Sequence, residues 1–168
     1  MKNNHKELVL KISDAVISAT TAHFVDSLKI PSLSTQLFWG TASGHIKLRD
    51  MTAIIGLSGP FNALVAFSFD MALINTLLEI ETAGLDIPED ELAFYRQDVI
   101  AETINIVLGH STKALATASE AICLSPPMVL EAGGVLRQRK DAVFVRVCIT
   151  TPPGLIDVFF ISPAYLEG

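Results

Sequence analysis

The sequence is poor in the residues from which most enzyme sites are built. Two cysteines, Cys123 and Cys148, occur in 168 residues, with no CxxC spacing. That leaves no zinc or thiol redox site to be read, and both are expected to be buried free thiols. His5, His23, His45 and His110 stand singly, so no metal cluster is legible. HExxH, GxSxG, P-loop and GxGxxG patterns are missing. No apolar run approaches the ~18–20 residues of a membrane span. The opening, Met1 to Glu7, does not begin like a secretory signal, and the expected location is the cytoplasm. Basic residues number 12 against 18 acids, giving a net charge of −6 and a pI near 5.1. Such a surface disfavours nucleic acid and favours a partner with a basic face.

What remains is apolar. Half the residues are hydrophobic and 18% are charged, a balance that folds rather than stays disordered. The length suits a single domain, expected to span 1–168. Leu8, Ile12, Ala15, Val16, Ala19, Ala22 and Val25 recur at helical steps, predicting a helix over 6–29 that Pro31 stops. Residues 31–44 read as a loop. A strand is expected from His45 to Ile54, a turn at Ser58-Gly59-Pro60, and a return strand over 61–69. Asp70 is placed to cap a helix over 71–83 that Gly84 ends. Pro88 with Glu89, Asp90 and Glu91 suits the first turn of a long helix running to about 110 and on toward 118. Residues 120–131 read as extended and kinked at Ser125-Pro126-Pro127, and Gly133-Gly134 as a break. Two β runs, 142–150 and 155–162, are joined by Thr151-Pro152-Pro153-Gly154. The expected class is α+β, an antiparallel sheet built from hairpins with helices packed on it.

The long helix offers a candidate polar stripe. At about 100° per residue, Ile100, Ile104, Val107 and Leu108 form its core face. Asp98, Glu102, Asn105 and Gly109 fall within roughly 60° of one another on another side. Glu102 and Asn105 are neighbours at i, i+3, with Tyr95, Val99 and Ile106 flanking the stripe. Helix geometry alone leaves a solvated polar face as the plainer reading. Gly109 reads first as a packing glycine. His110 reads as a solvent-exposed or hydrogen-bonded structural histidine, Lys113 as a solvated charge, and Arg137-Gln138-Arg139-Lys140 as a solvated turn.

The run Asp98-Val-Ile-Ala-Glu102-Thr-Ile-Asn105-Ile-Val-Leu-Gly109-His-Ser-Thr-Lys113-Ala-Leu115 resembles the signature helix of the CheC/CheX/FliY phosphatases. Ile55-Gly56-Leu57-Ser58-Gly59-Pro60-Phe61 resembles the family's first hairpin, and Leu124-Ser125-Pro126-Pro127-Met128-Val129 its post-helix segment. The three stretches occur in the family's order. A single Glu-x-x-Asn pair is similar to CheX rather than to CheC, which carries two. The resemblance implies a phosphatase acting on an aspartyl-phosphorylated, CheY-like receiver. Asn105 would position the attacking water and Glu102 would dock to the receiver's lysine. Asp98, Tyr95, Val99, Ile106 and Gly109 would meet the partner. It implies no metal or cofactor of the chain's own, Mg²⁺ coming from the receiver, and a homodimer. The alternatives are a non-catalytic module of this fold that binds a receiver or flagellar-switch component, and a plain structural domain.

Overall fold

Strands rich in Val, Ile and Phe, with side chains alternating between two faces, lay down the centre of the molecule. The computed structural model describes residues 2–32, 34–40, 45–59, 62–83, 85–115, 121–131, 133–137 and 143–162. Strands β1 (Ser34–Gly40), β3 (Met51–Ser58), β4 (Ala63–Phe69), β8 (Val143–Thr150) and β9 (Leu155–Ser162) form an antiparallel sheet in the order β1-β8-β9-β4-β3. The short β5 (Cys123–Leu124) and β6 (Met128–Glu131) both pair with the far side of β3. A separate ribbon joins β2 (His45–Lys47) to β7 (Val135–Arg137).

The alternation divides the sheet cleanly. Met51, Ala53, Ile55, Val65, Phe67, Phe69, Val145, Val147, Ile156, Val158 and Phe160 face one side, where helices cover them. These helices are α1 (Lys2–Ala22), α2 (Met71–Glu81) and α3 (Leu92–Leu115). Each fully buried Ile, Leu or Phe contributes roughly 1.5–3 kcal/mol relative to exposure. Ala66, Phe144 and Phe159 face the other side, under Ile46 and Leu48. The helices therefore lie on one face of the sheet, and α3 packs across it with its outer side free. No described helix is long and apolar enough to cross a membrane.

The expected hairpins form. Around 151–154 the Thr151 N–H donates to the Gly154 carbonyl at 2.9 Å. Gly154 fits closely there, a Cβ at its position lying 3.2–3.3 Å from Leu73 and Asp70.

Several expectations are corrected. Residues 34–40 are not loop but edge strand β1, paired with β8 from Ser34↔Thr150 to Gly40↔Phe144. The strand expected from His45 is two strands, interrupted at Leu48–Asp50. The first helix gives way at His23–Ser27 to a π turn, with the Leu28 N–H donating to His23 O at 3.0 Å. Lys29 then takes φ 58. The wider turn buries Phe24 and leaves Val25 exposed. Asp70 occupies the N-cap position of α2 without a capping side-chain bond. Asp50 accepts from the Met71 N–H instead, at 2.7 Å. Cys123 is exposed and only Cys148 is buried. Pro60, Phe61, Gly84, residues 116–120 and residues 138–140 lie outside the described residues.

Candidate functional site

Pro88 leads into a single 3-10 turn, Glu89–Glu91, where the Glu91 N–H donates to Pro88 O at 3.0 Å, and α3 follows directly. Proline suits this entry because its fixed φ is near-helical and it has no N–H to leave unpaired. The back of the helix is held by Ile100, Ile104, Val107 and Leu108, all essentially inaccessible, with Thr103 and Ser111 buried beside them. Ser111 donates to the Val107 carbonyl at 2.7 Å, so its burial leaves no free hydroxyl.

Two side-chain bonds fix the helix from its flanks. Arg96 Nε donates to Asn75 Oδ1 of α2 at 3.1 Å. Gln97 donates to Glu131 at the end of β6. Asn75, the one amide on α2, is thus engaged in holding α3.

With the back and both flanks committed, rotation about the helix axis is set, and the remaining stripe points outward. Asp98, Glu102 and Asn105 are exposed on it. Among the described residues none of the three has a side-chain hydrogen bond or an ion pair. An amide that both donates and accepts stands one turn from a carboxylate, and neither is spent on the fold. The pair can order a water and hold a cation of an incoming surface.

The flanking residues divide. Tyr95 and Ile106 are half-buried, Tyr95 against the core. Val99 is 6% exposed and belongs to the hydrophobic core, so its expected place on the partner surface is corrected. It sits at the edge of the wheel where α3 turns inward. Gly109 also departs from its packing reading, since a Cβ added there would meet nothing within 4 Å. Sequence reasoning missed Phe94, which is 67% exposed and contacts Tyr95 edge to face, with ring centroids 5.8 Å apart. Its i, i+4 spacing to Asp98 was the available signal.

The other face of the sheet holds a second polar assembly, in a cavity of about 720 Å³ lined by residues that include Arg49, Asp70, Arg146 and Asp157. Asp157 accepts from Arg49 Nε at 2.7 Å and from Arg146 Nε and Nη2, each at 2.9 Å. Asp70 accepts from Arg49 Nη1 at 2.8 Å and from the Leu155 N–H at 2.9 Å. Burial acts to depress the Arg49 guanidinium, but its hydrogen bonds and ion pairs with Asp70 and Asp157 prevail and raise its pKa. Burial, reinforced by Asp157, pushes the Cys148 thiol up, so it stays protonated at neutral pH. These four charges pair with one another and tie β8, β9, the β2–β3 link and the start of α2 together. Among the described residues no group of three or more His, Cys, Asp or Glu side chains could hold a metal ion.

Residues 51–150 match the family described as chemotaxis phosphatase CheX. Comparison with curated proteins finds no match. Among solved structures, a CheX from Desulfovibrio desulfuricans aligns with a TM-score of 0.76 at 19% identity, over 90% of this chain and 99% of that one. A CheX from Vibrio vulnificus aligns at 0.71 and 15% identity, over 89% and 95%. CheX in the CheX–CheY–BeF₃–Mg²⁺ complex from Borrelia burgdorferi aligns at 0.66 and 16% identity, over 89% and 96%. At these identities the structural likeness speaks for the fold, and the family match covers more than half of the chain. The chain belongs to the CheX family of chemotaxis phosphatases.

Proposed function

We propose that this protein hydrolyses the aspartyl phosphate of a CheY-like receiver, with Asn105 and Glu102 as the residues that act. The observation that carries this reading is the exposed, unengaged amide of Asn105 one turn from the equally unengaged Glu102, on a helix whose opposite side is fixed in the core.

In an acyl phosphate the P–O bond to the aspartyl carboxylate breaks as water attacks phosphorus from the opposite side. Products are inorganic phosphate and the free carboxylate. Little covalent chemistry falls to the catalyst, and alignment and charge compensation supply the rate. The Asn105 carboxamide accepts a hydrogen bond from the water and turns its lone pair toward phosphorus. Glu102 pairs with the receiver's lysine and sets the register of docking. Mg²⁺ belongs to the receiver and neutralises the phosphoryl oxygens. Asp98, one turn before Glu102, extends the acidic contact. A CheX–CheY complex exists for the Borrelia burgdorferi relative, and that supports the choice of partner. Such an enzyme acts in the cytoplasm. We also read the chain as a homodimer, as the resemblance implies, to be tested by light scattering on the eluted protein.

The test is phosphate release from a phosphorylated receiver in the presence of Mg²⁺. The wild type should accelerate it. Asn105→Ala should lower kcat by about 10²-fold or more with binding largely intact, as for loss of one transition-state contact. Glu102→Ala should weaken both binding and rate. An Asn105→Ala variant as fast as wild type overturns the catalytic assignment. Binding of the phosphorylated receiver without acceleration identifies a non-catalytic module instead.

A further inference from the structure

Two residues on the outer side of α3 work against the stability of the fold. Gly109 lies in the helix interior, six residues before Leu115, where glycine is the least favourable residue apart from proline. Internal packing does not require it, because a Cβ there would enter open space. A positive φ does not require it either, since Gly109 is helical. Phe94 places an aromatic ring 67% in water, in contact with Tyr95 alone among the aromatic rings described. Residues that break a local rule without return to the fold are expected where the return comes from elsewhere.

Both lie on the stripe of the reactive pair. Phe94 precedes Asp98 by four residues, and Gly109 follows Asn105 by four, so each is a surface neighbour of that stripe. The interval between them spans about 22 Å along the helix. A standard interface buries about 800 Å² per partner, a patch of roughly that breadth. Between Gln97 and Thr112 the helix carries no lysine or arginine, while Asp98 and Glu102 are exposed. Glu89, Asp90 and Glu91 are exposed just before Phe94. The occupant therefore presents positive charge along this line, as the lysine-bearing face of a receiver does.

We propose that Phe94 and Gly109 are the two ends of one docking face for the phosphorylated receiver. The Phe94 ring enters an apolar recess on the receiver, and the bare Cα of Gly109 lets receiver backbone lie against the helix. This rests on the receiver reading above and extends it to residues that do not touch the reacting atoms.

Steady-state turnover of a phosphorylated receiver, paired with thermal melts, tests it. Phe94→Ala should raise KM about tenfold, as for loss of an aromatic anchor, with kcat within about twofold and Tm unchanged. Gly109→Ala should raise Tm, because the helix gains and nothing clashes, and at the same time raise KM severalfold. Gly109→Leu should abolish saturation. A helix-structural role predicts the opposite pairing, a lower Tm with unchanged KM, and that result overturns the proposal. Wild-type KM in all three variants also overturns it, while loss of rate in Asn105→Ala leaves the catalytic reading standing. Should the wild type show no turnover, affinity for the receiver activated with beryllofluoride and Mg²⁺ decides. Weakened binding by the variants upholds the docking face, and absence of wild-type binding ends it.

Discussion

His23 holds the one buried side-chain polar atom among the described residues that lacks a hydrogen-bond partner, its Nε2. It sits where α1 passes into the π turn, 6% exposed and edge-on to Phe24. Burial lowers its pKa below 6.5; Glu81 opposes this, and His110 on α3 adds to it. The folded protein therefore binds this proton more weakly than the unfolded chain does. The associated stability is fully present above pH 6.5 and is lost as pH falls from there through the lower folded value. Melting temperature should hold between pH 8 and 7 and decline below about 6.5, and His23→Gln should flatten that segment. An acid limb unchanged in His23→Gln would assign the decline to carboxylates. At this scale the exposure of Asp98, Glu102 and Asn105 was legible, because helical periodicity separates exposed from buried positions on a long helix. Phe94 escaped because an apolar residue on a polar stripe is visible as exposed only once the packing is known.

Among the elements, the strands around Asp157 are tied by charge as much as by ladder bonds. Asp157 on β9 is 2% exposed and pairs with Arg146 on β8 and with Arg49 in the link between β2 and β3. Arg49 in turn reaches Asp70 at the start of α2, and its backbone N–H donates to Ser68 Oγ on β4 at 2.7 Å. Asp157→Ala leaves the partly buried Arg49 guanidinium with Asp70 as its remaining ion-pair partner. It should destabilise the fold by about 1–3 kcal/mol, read as a lower denaturant midpoint. Asp70→Ala, at a more exposed pair, should cost clearly less, and equal losses would show that Asp157 is not the hub. This network explains why the break at Leu48–Asp50 was not legible. Residues 45–54 alternate like one strand, and what interrupts them is Arg49 turning to partners 21 and 108 positions away. β1 was illegible for another reason. Among the described residues it pairs on one side only, to β8, and Ser34, Thr35, Gln36, Leu37 and Phe38 are all exposed, so burial imposed no period-two pattern on it. The buried runs β4, β8 and β9 and the helix α3 carried their own pattern and were read within a few residues.

For the whole molecule, charge sets how partners meet. A net charge of −6 repels another acidic protein at long range, so productive encounter with a receiver depends on where the acids stand. Glu89, Asp90 and Glu91 are exposed in one turn at the head of α3, and Asp98 and Glu102 continue the line. These five carboxylates concentrate negative potential along the helix that bears Asn105, which would steer a partner's basic face onto it. Screening shortens that reach, the Debye length falling from about 10 Å at 0.1 M salt to about 3 Å at 1 M. Receiver turnover by this CheX-family protein should therefore lose kcat/KM severalfold between roughly 50 mM and 500 mM salt while kcat changes little, the mark of slowed association. Replacing Glu89, Asp90 and Glu91 together with Gln, Asn and Gln should lower kcat/KM at low salt and flatten its salt dependence, leaving the high-salt values close to wild type. Identical slopes for the triple variant and the wild type would show that steering comes from Asp98 and Glu102 alone. A kcat/KM indifferent to salt would show that contact chemistry, not long-range charge, limits the encounter.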